Sequence, residues 1–529
     1  MKKLTALILA AMMVISLMGC GGGSTSESTA ASSAPASGAE QTGEQEPVKG
    51  GTLIIATTAD ASSMQPTEIR SPGNLYYASA IFETLLGFDE KGDPQPYLAE
   101  SITEDVENLT YTLELRKGVK FHDGTELTAE VCKWNLDHYK AEGILSSSFY
   151  SNLESVEVTG DYTVVLHLSK WDSTLPNALA RECGYMISQA AYEADPEGFG
   201  EHPVGTGPFQ FESWEHGVSM SFTKFADYWQ GEPYLDGLKF VIYANEMVAQ
   251  AAMQNGEVHI MSPLDFNLTN DMASQGYPVY TMKVPQSCYT ICINCMNDDP
   301  LSDVKVRQAM AYAMDGEPIL PILFGEYAEA TNQYGVPGST YYDDTIGIKY
   351  DLEKAKALME EAGYPDGFST TLTVVNSERS IQFCQIVAEQ LAQIGIDVEL
   401  NIVDGGAYML AIDTWESGML LHTMSMYNGI NSQLMGNFRQ GLSGGALGSG
   451  SFLHPDDLNQ VLEDACASDS ENAVPLFQKS QHMIFEDYCM MRALAVTYQA
   501  YITSPKLHDC GYAENTPYGS TFHKAWLEQ

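Results

Sequence analysis

The chain has 529 residues, enough for about three domains of ordinary size and for a large apolar core. It carries 26 basic and 70 acidic residues, which gives a formal net charge of −44 at pH 7. This excess of carboxylates argues against nucleic acid as a partner, because phosphate binding needs clustered lysine and arginine, and against electrostatic docking on anionic lipid.

The first twenty residues have the pattern of an export signal followed by a lipid attachment site. Two lysines precede an apolar run from Leu4 to Leu17, which is too short to span a bilayer. The run leads into Leu-Met-Gly-Cys, which resembles the lipobox of bacterial lipoproteins. We therefore predict a signal peptide over residues 1–19 and lipidation of Cys20. An ordinary secretory signal with an incidental cysteine is the alternative.

Residues 20–48 are predicted to form a flexible linker. Glycine, serine, threonine and alanine fill most of this segment, so it holds almost nothing that a core could bury. A tether beside a lipid fits a folded body that works close to a membrane. We therefore expect the protein at the outer face of the cytoplasmic membrane, on the extracellular or periplasmic side.

Ordered structure is predicted from about residue 50 onward. The apolar run over residues 52–57 is consistent with a buried strand. Further along, Tyr111, Leu113 and Leu115 alternate with polar residues, which is the period of a strand with one buried face. A Lys-Gly pair ends this pattern, and a His-Asp-Gly turn then leads into a predicted helix.

The second half of the chain predicts the helices and a strand of an α/β domain. An amphipathic helix is predicted over residues 303–315, and Asp351 is predicted to cap the next helix, which Gly363 ends. Ser380 is predicted to cap a further helix, and the alternation over residues 396–402 predicts a strand. The inward positions of that further helix are Ile381, Cys384, Val387, Leu391 and Ile394. A helix, helix, strand unit is typical of a domain packed around a sheet.

Several stretches resemble one protein family. Residues 111–124, Tyr-Thr-Leu-Glu-Leu-Arg-Lys-Gly-Val-Lys-Phe-His-Asp-Gly, are similar to the signature segment of the family 5 extracellular solute-binding proteins. These are the peptide- and nickel-type receptors of bacterial ABC importers. Further stretches resemble the family in matching order, at residues 80–89, 94–101, 202–209, 226–236 and 254–260. The resemblance implies an α/β fold of two lobes, the type II periplasmic-binding-protein architecture with an extra inserted domain, and mixed sheets with flanking helices.

The resemblance also implies a division into three domains. Domain I is expected to be discontinuous, because the chain leaves it twice and returns. The expected ranges are 49–80, 204–285 and 495–529 for domain I, 81–203 for the inserted domain II, and 286–494 for domain III.

One short motif suggests a catalytic serine. Residues 441–445, Gly-Leu-Ser-Gly-Gly, match the nucleophile elbow of serine hydrolases letter by letter. That elbow needs a strand before it and a helix after it, whereas the glycine-rich run up to residue 450 cannot readily form a helix. We interpret this segment as a flexible loop.

Three neighbouring cysteines, Cys288, Cys292 and Cys295, suggest metal ligands at first sight. In an extended strand the first two point to one face and the third to the other, so they cannot close a tetrahedral zinc site. Of the 10 cysteines, nine remain when Cys20 is set aside, and they are scattered. This pattern predicts buried free thiols rather than a disulfide framework. We expect neither a metal nor a cofactor.

The family resemblance implies a receptor rather than an enzyme. Such a receptor captures a small solute, here a peptide or a peptide-like molecule, in the cleft between its lobes and hands it to ABC permease subunits. We expect it to act as a monomer. A secreted hydrolase using the same cleft is the alternative class, and a metal chelate or an oligosaccharide is an alternative ligand.

The resemblance also implies where the ligand binds. Family members place ligand-lining residues in the polar loop after the first strand, here Ser62, Ser63 and Met64. Peptide-binding relatives also carry an aspartate for the ligand ammonium in a segment that corresponds to residues 424–437, where this chain has no acid. Either another carboxylate substitutes, or the ligand has no free ammonium at this point, and we favour the second. The predicted contacts from this segment are Tyr427, Asn428 and Asn431.

Arg379 is a further candidate contact. It lies directly ahead of the helix predicted to start at Ser380, and its guanidinium suits an acidic group of the ligand. A solvated position at the start of the helix is its alternative role.

Overall fold

The computed structural model describes residues 46–69, 72–142, 150–263, 265–296, 300–415, 417–426, 429–438, 451–511 and 521–528. The chain divides into two units, Met1–Glu46 and Pro47–Gln529, and every element given below lies in the second. Cys20, the signal peptide, most of the linker and the motif at residues 441–445 lie outside the described residues.

The largest sheet has seven strands from widely separated parts of the chain. Thr52–Thr57, where the sequence predicts a strand, pairs in parallel with Gly237–Ile242 and with Ile260–Met261. The other pairings are antiparallel. From edge to edge the strands are Val279–Thr281, Ala500–Thr503, Ile260–Met261, Thr52–Thr57, Gly237–Ile242, Ser219–Lys224 and Phe209–Glu215. Strands from both ends of the described chain therefore share one sheet.

A second, six-stranded sheet is built from the later part of the chain. Its strands in spatial order are Ala328–Ala330, Met491–Thr497, Ser287–Ile293, Met419–Ser425, Phe368–Val375 and Ile396–Val403. Successive residues of the strand Ser287–Ile293 enter two different hydrophobic cores, with Cys288 and Cys292 in one and Tyr289 and Ile291 in the other. Helices pack over both faces, which gives this part the layered α/β arrangement that the sequence predicts.

A third sheet has four antiparallel strands, in the order Ala99–Asp105, Thr110–Leu115, Thr163–Leu168 and Leu153–Gly160. The strand predicted from alternation is confirmed, because Tyr111, Leu113 and Leu115 are all buried in one core. Two short strand pairs complete the described sheets, Leu86–Phe88 with Pro94–Pro96 and Leu507–His508 with Trp526–Leu527.

Fourteen α-helices surround these sheets within the described ranges. They are Pro72–Ile81, Ala129–Glu142, Leu175–Leu179, Gln189–Ala194, Glu246–Gln254, Phe266–Ser274, Val304–Ala313, Leu320–Leu323, Leu352–Glu361, Glu378–Ala392, Gly405–Asp413, Ile430–Phe438, Asp456–Ala467 and Ser470–His482. Short 3₁₀ turns occur at Pro66–Glu68, Glu182–Gly184 and Pro300–Ser302, and a π-turn at Met483–Asp487. None of the helices in the described residues has the length and hydropathy needed to cross a membrane.

The predicted helix starts are confirmed at two positions and wrong at a third. The side chains of Asp303 and Asp351 accept hydrogen bonds from backbone amides of their own helices, as N-caps do. The next helix, however, is capped at Ser377 rather than at Ser380. Ser377 has the extended backbone of an N-cap, and Glu378 after it places a favourable negative charge in the first turn.

The prediction that Cys295 faces away from Cys288 and Cys292 is wrong. The strand ends at Ile293, so the strand alternation does not extend to Cys295, and all three cysteines enter the same core. Burial raises the pKa of the Cys288 thiol to about 12, so it stays protonated and is a poor metal ligand at neutral pH. Nine free cysteines are described and each is buried. No group of three or more His, Cys, Asp or Glu side chains in the described chain is arranged to hold a metal.

A buried carboxylate connects the seven-stranded and four-stranded sheets. Glu83 accepts hydrogen bonds from the Tyr97 and Tyr228 hydroxyls at 2.7 Å each, from the Thr206 hydroxyl at 2.8 Å and from the Trp229 indole at 3.0 Å. Burial raises the pKa of Glu83, although these four donors act in the opposite direction. Tyr97 precedes the strands of the four-stranded sheet in the sequence, and the other three partners follow them. The network therefore joins the chain segments that enter and leave this sheet.

Gly367 and Gly395, which directly precede two paired strands, approach each other closely through their backbones. Gly367 has a φ of +75°, and a Cβ built on it would lie 1.8 Å from the carbonyl oxygen of Gly395. Gly363 has a similar φ of +85°, but a Cβ there meets nothing within 4 Å. We expect Gly363→Ala to cost about 1–2 kcal/mol from backbone strain alone, and Gly367→Ala to cost about 2 kcal/mol more because it adds a clash.

Urea unfolding of the two variants and the parent protein, followed by circular dichroism, measures this difference. Equal losses of unfolding free energy for both variants would contradict the described strand approach.

Candidate ligand site between the two large sheets

The chain passes between the seven-stranded and six-stranded sheets through two short segments, residues 282–286 and 498–499, which we call the crossing segments. They run side by side. The Met282 amide donates to the Gln499 carbonyl at 3.0 Å, and the Gln286 amide donates to the Thr497 carbonyl at 2.7 Å. Any change in the angle between the two sheets must be absorbed at these segments or next to them.

The larger of two cavities at the crossing segments has a volume of about 380 Å³. Most of its walls come from the turn at residues 90–93, the crossing residues 283–285, the loop at residues 335–341, and the end of the strand Met419–Ser425 with the helix start after it. Asn177, Glu329 and Tyr498 complete the lining. This volume falls within the range of roughly 300–1,000 Å³ that is usual for small-molecule sites.

The smaller cavity has a volume of about 180 Å³, and Tyr498 lines both cavities. Arg379 is its one cationic lining residue within the described ranges. The other lining residues are Pro263, Phe266, Gln286, Ser287, Tyr289, Thr423, Thr497, Tyr498 and Gln499. Both cavities thus adjoin the crossing segments and share Tyr498.

Arg379 lies inside the first turn of the helix Glu378–Ala392 and is half-buried. Its guanidinium carbon is 4.6 Å from the centre of the Phe266 ring and 5.8 Å from that of Phe324. A positive charge is disfavoured at a helix N-terminus, where the helix dipole is also positive. Cation–π contact with the two rings offsets this cost and holds the guanidinium in place.

Carboxylates line the larger cavity. The Tyr498 hydroxyl donates to Glu329 at 3.0 Å, and burial together with the Glu329 charge raises the pKa of Tyr498. Asp93 accepts a hydrogen bond from Thr340, which lowers the pKa of Asp93, but burial raises it more. Glu90 is paired with Lys283 at 2.7 Å.

The sequence of the chain matches a known protein family. The family described as "Bacterial extracellular solute-binding proteins, family 5 Middle" matches residues 93–443. The chain belongs to this family. Glutathione-binding protein GsiB of Escherichia coli O1:K1 / APEC is 31% identical over 358 residues, which are 67% of this chain and 70% of that protein. Family 5 membership makes the chain an extracellular solute-binding protein, as the sequence predicts.

Solved structures confirm the predicted fold class. The ABC transporter substrate-binding protein CtaP of Listeria monocytogenes aligns with a TM-score of 0.80 at 22% identity, over 91% of this chain and 100% of that one. The periplasmic binding protein DppA of Helicobacter pylori, in complex with peptide STSA, aligns with a TM-score of 0.73 at 24% identity, over 91% and 99%. The family 5 fold therefore has two lobes. We use the name first lobe for the described residues within 47–281 and 500–528, which include the seven-stranded and four-stranded sheets, and second lobe for those within 287–497, which include the six-stranded sheet.

In this family 5 protein, the three loop residues predicted to line the ligand site, Ser62, Ser63 and Met64, differ in their exposure to solvent. Met64 is fully buried in the core of the first lobe, and its amide donates to the Gly200 carbonyl at 3.0 Å. Ser63 is half-buried and accepts from the Gln65 amide at 3.0 Å, whereas Ser62 is exposed. The described linings of the two cavities include none of Ser62, Ser63 and Met64.

Asn431 lies beside the larger cavity, at the start of the helix Ile430–Phe438, and is buried. Its side chain accepts from the Asn177 amide of the first lobe at 2.6 Å and donates to the Tyr341 hydroxyl at 3.2 Å. Asn177 and Tyr341 both line the cavity. Asn431 thus joins the two lobes through Asn177, while Tyr427 and Asn428 lie outside the described residues.

The described lining of the larger cavity contains none of the residues predicted from sequence, and Tyr498, Glu329 and Asp93 are among those that the prediction missed. Sequence alone offers a signal for Tyr498, because it lies at the predicted return from the second lobe to the first. Glu329 and Asp93 have no such signal, since they are two of 70 acidic residues and only the fold brings them to one cavity.

The first lobe also caps a helix of the second. The Trp171 indole donates to the Ser468 carbonyl at 2.7 Å, and Ser173 donates through its amide to Cys466 and through its hydroxyl to Ala465, both at 3.1 Å. Ala465 and Cys466 lie in the last turn of the helix Asp456–Ala467, and Ser468 is its C-cap. The Ala465 carbonyl also accepts from the Ser468 amide at 3.3 Å. Contact between the lobes thus adds hydrogen bonds at a helix end, where carbonyls generally lack partners within the helix.

We expect Trp171→Phe to open the ligand-free protein, because the substitution keeps the ring but removes the hydrogen bond to Ser468. A loss of about 1 kcal/mol shifts the balance between closed and open states about fivefold. Small-angle scattering should show a larger radius of gyration. The matched control is Trp214→Phe, which removes a 3.0 Å bond to Asp60 within the first lobe. An equal radius for the two variants would contradict this role for Trp171.

Proposed function

We propose that this protein is a lipid-anchored receptor that captures a peptide or peptide-like solute between its lobes and delivers it to the permease subunits of an ABC importer. The main support is the pair of cavities that share Tyr498, at the segments where the chain crosses between lobes. Relatives are named for binding glutathione and are seen with a short peptide, which supports this class of ligand.

The location of the cavities suits capture by closure. Residues of the first lobe, such as Asp93 and Asn177, line the same cavity as Glu329 and Ile430 of the second. A ligand in this cavity therefore makes its full set of contacts only when the lobes are together, so binding stabilises the closed state. Closure in turn gives the permease a shape that reports occupancy.

Arg379 is the proposed partner of an acidic group of the ligand. Its guanidinium lies in the smaller cavity with Tyr289, and it offers donors in a fixed fork that matches a carboxylate. The cation–π contacts with Phe266 limit the side-chain freedom that binding would otherwise have to restrict. A terminal carboxylate or an acidic side chain of a peptide fits this arrangement.

A binding role is supported over catalysis by the chemistry of the cavity walls. Their described lining residues include no histidine and no cysteine, the side chains that most often act as a general base or a nucleophile at neutral pH. The family itself consists of transport-associated binding proteins.

The domain ranges expected from the sequence are part of this proposal, with one adjustment. The strand Met491–Thr497 is continuous across the expected boundary between residues 494 and 495, and the chain enters the seven-stranded sheet only at Ala500. We therefore propose that the last boundary lies in the second crossing segment, at residues 498–499.

Incubation of the purified protein with a pool of random di- to tetrapeptides tests the proposed function. Native mass spectrometry should show intact peptides retained in the protein, and the pool outside should remain uncleaved. Loss of peptides with appearance of fragments would instead identify a hydrolase.

Replacing Arg379 tests the acid-binding role with the same pool. We expect Arg379→Gln to weaken retention about tenfold or more, because it removes a charged hydrogen bond worth about 1.5–3 kcal/mol. Arg116→Gln is the control, since Arg116 bonds the Tyr97 carbonyl and lines neither described cavity. Unchanged retention by Arg379→Gln, with the melting temperature preserved, would refute this role.

Anchoring is tested by changing Cys20. We expect Cys20→Ala to lose membrane attachment and normal processing, because the proposed acyl chains have no other attachment point and stable anchoring needs at least two of them. Metabolic labelling with an alkyne fatty acid and membrane fractionation measure both. A labelled, membrane-bound Cys20→Ala protein would show that the anchor lies elsewhere.

A further inference from the structure

The two lobes also meet away from the two cavities. The four-stranded sheet and its flanking segments belong to the first lobe, and we call the described residues within 97–187 the four-stranded part. This part contacts residues 463–470 of the second lobe, where the helix Asp456–Ala467 ends and the helix Ser470–His482 begins. We call residues 463–470 the helix corner. None of them lines the described part of either cavity.

The helix corner presents two helix ends of opposite polarity to the four-stranded part. The end of the first helix presents backbone carbonyls, which accept from Trp171 and Ser173. The start of the second helix presents amides instead. The Ser470 amide donates to the Glu104 carboxylate at 3.1 Å, and the Ser470 hydroxyl donates to the same carboxylate. Donors therefore meet the negative end of one helix dipole, and a carboxylate meets the positive end of the other.

The centre of this contact is withdrawn from water. Ser173 and Cys466 are buried, and the Cys466 thiol donates to the buried carboxylate of Asp172 at 3.4 Å. Hydrogen bonds are electrostatically stronger in such a place than in water. Lys170 and Glu463 form an ion pair at the exposed rim, where such pairs contribute little. The contact thus has a dry centre and a charged rim, as specific interfaces do.

The four-stranded part is fixed to the rest of the first lobe. The buried Glu83 joins Tyr97, at the entry to the four-stranded part, to Tyr228 and Trp229, which follow a strand of the seven-stranded sheet. The helix corner, in turn, contributes Cys466 to a core that packs on the six-stranded sheet. A change in the angle between the two large sheets therefore moves the two sides of this contact relative to each other.

We propose that the four-stranded part is a latch. Its contact with the helix corner holds the lobes together in the absence of ligand, and so sets the closed fraction of the protein from outside the ligand site. A ligand that needs the closed state binds with an apparent affinity proportional to that fraction. The latch therefore scales the affinity for every ligand by one common factor. The effect on affinity rests on the proposed function, whereas the effect on closure does not.

A double variant, Trp171→Phe/Ser173→Ala, tests the latch because it removes two side-chain hydrogen bonds to the helix corner. We expect the ratio of closed to open protein to fall about fivefold for each bond removed. The matched control is Trp214→Phe/Ser480→Ala. It removes the same two groups where they bond within one lobe, to a carboxylate of the first and to a carbonyl of the second.

Small-angle scattering and hydrogen exchange of the ligand-free proteins measure closure directly. The double variant should have a larger radius of gyration than the wild type and the control. The amides of Ser173 and Ser470 donate across the lobes, so their exchange reports on this contact. Both amides should exchange at least about fivefold faster in the double variant than in the control.

Glu104→Gln is a milder test that leaves the buried centre of the contact unchanged. It removes the charge at the start of the helix Ser470–His482 and keeps the shape of the side chain. We expect the amides of Ser173 and Ser470 to exchange faster by the same factor, about two- to fivefold, because a latch opens as one unit. The matched control, Glu107→Gln, removes the same charge from an exposed residue of the neighbouring turn.

A pool of random tripeptides tests the common factor. Native mass spectrometry compares the retention of individual peptides by the wild type, the double variant and its control. We expect the double variant to retain every peptide less well by one shared factor, with the order of preference unchanged. That factor cannot exceed the change in the ratio of closed to open protein, because the latch acts only through the closed fraction.

Each outcome bears on a stated claim. An unchanged radius for the double variant, with unchanged exchange in Glu104→Gln, would overturn the latch. Faster exchange confined to the amide beside each substitution would overturn it as well, since this result indicates local loosening. Losses of retention that differ from peptide to peptide would overturn the common factor and leave the effect on closure intact. A wild-type protein that retains no peptide would overturn the proposed function, while scattering and exchange still decide the latch.

Discussion

The crossing segments impose the main constraint on this protein. Residues 282–286 and 498–499 carry the chain between the two large sheets, and they also form walls of both cavities. Two backbone hydrogen bonds, from Met282 to Gln499 and from Gln286 to Thr497, hold the two segments together. Tyr498 belongs to the second segment and lines both cavities. Any change in the angle between the two sheets must therefore be absorbed next to the cavity walls.

The predictable parts of the fold are those encoded locally. Alternation marks the strand around Tyr111, and side-chain caps mark the helices after Asp303 and Asp351, because each signal involves residues within a turn or two of one another. The shift of a cap from Ser380 to Ser377 shows the limit of this approach. Asn376, Ser377 and Ser380 are all capping residue types and occur close together there, so the local sequence does not decide among them. The misplaced face of Cys295 has a similar cause, since periodicity does not say where a strand stops.

The site is less predictable because it is assembled from distant segments. Asp93, Glu329 and Tyr498 meet at one cavity although they belong to three separate strands or turns, and nothing in the local sequence of Asp93 or Glu329 distinguishes it from other surface acids. The sequence hypothesis that the ligand has no free ammonium depended on the absence of an acid in residues 424–437 alone. The fold brings Asp93 and Glu329 to the larger cavity from outside that segment, so both branches of the alternative stay open. Arg379 was identifiable from sequence, because it accompanies a helix start.

The topology of the seven-stranded sheet also governs how the chain can fold. Ala500–Thr503 is inserted between Val279–Thr281 and Ile260–Met261, so the sheet lacks an interior strand until almost the whole chain is present. Contacts between segments so far apart are slow to form, because a large loop must be closed before they contribute. The second lobe, whose six strands all lie between residues 287 and 497, has no such requirement. The C-terminal strand, which is synthesised last, thus completes the sheet of the first lobe. Until it is present, the sheet exposes unpaired strand edges that can pair with other strands or chains.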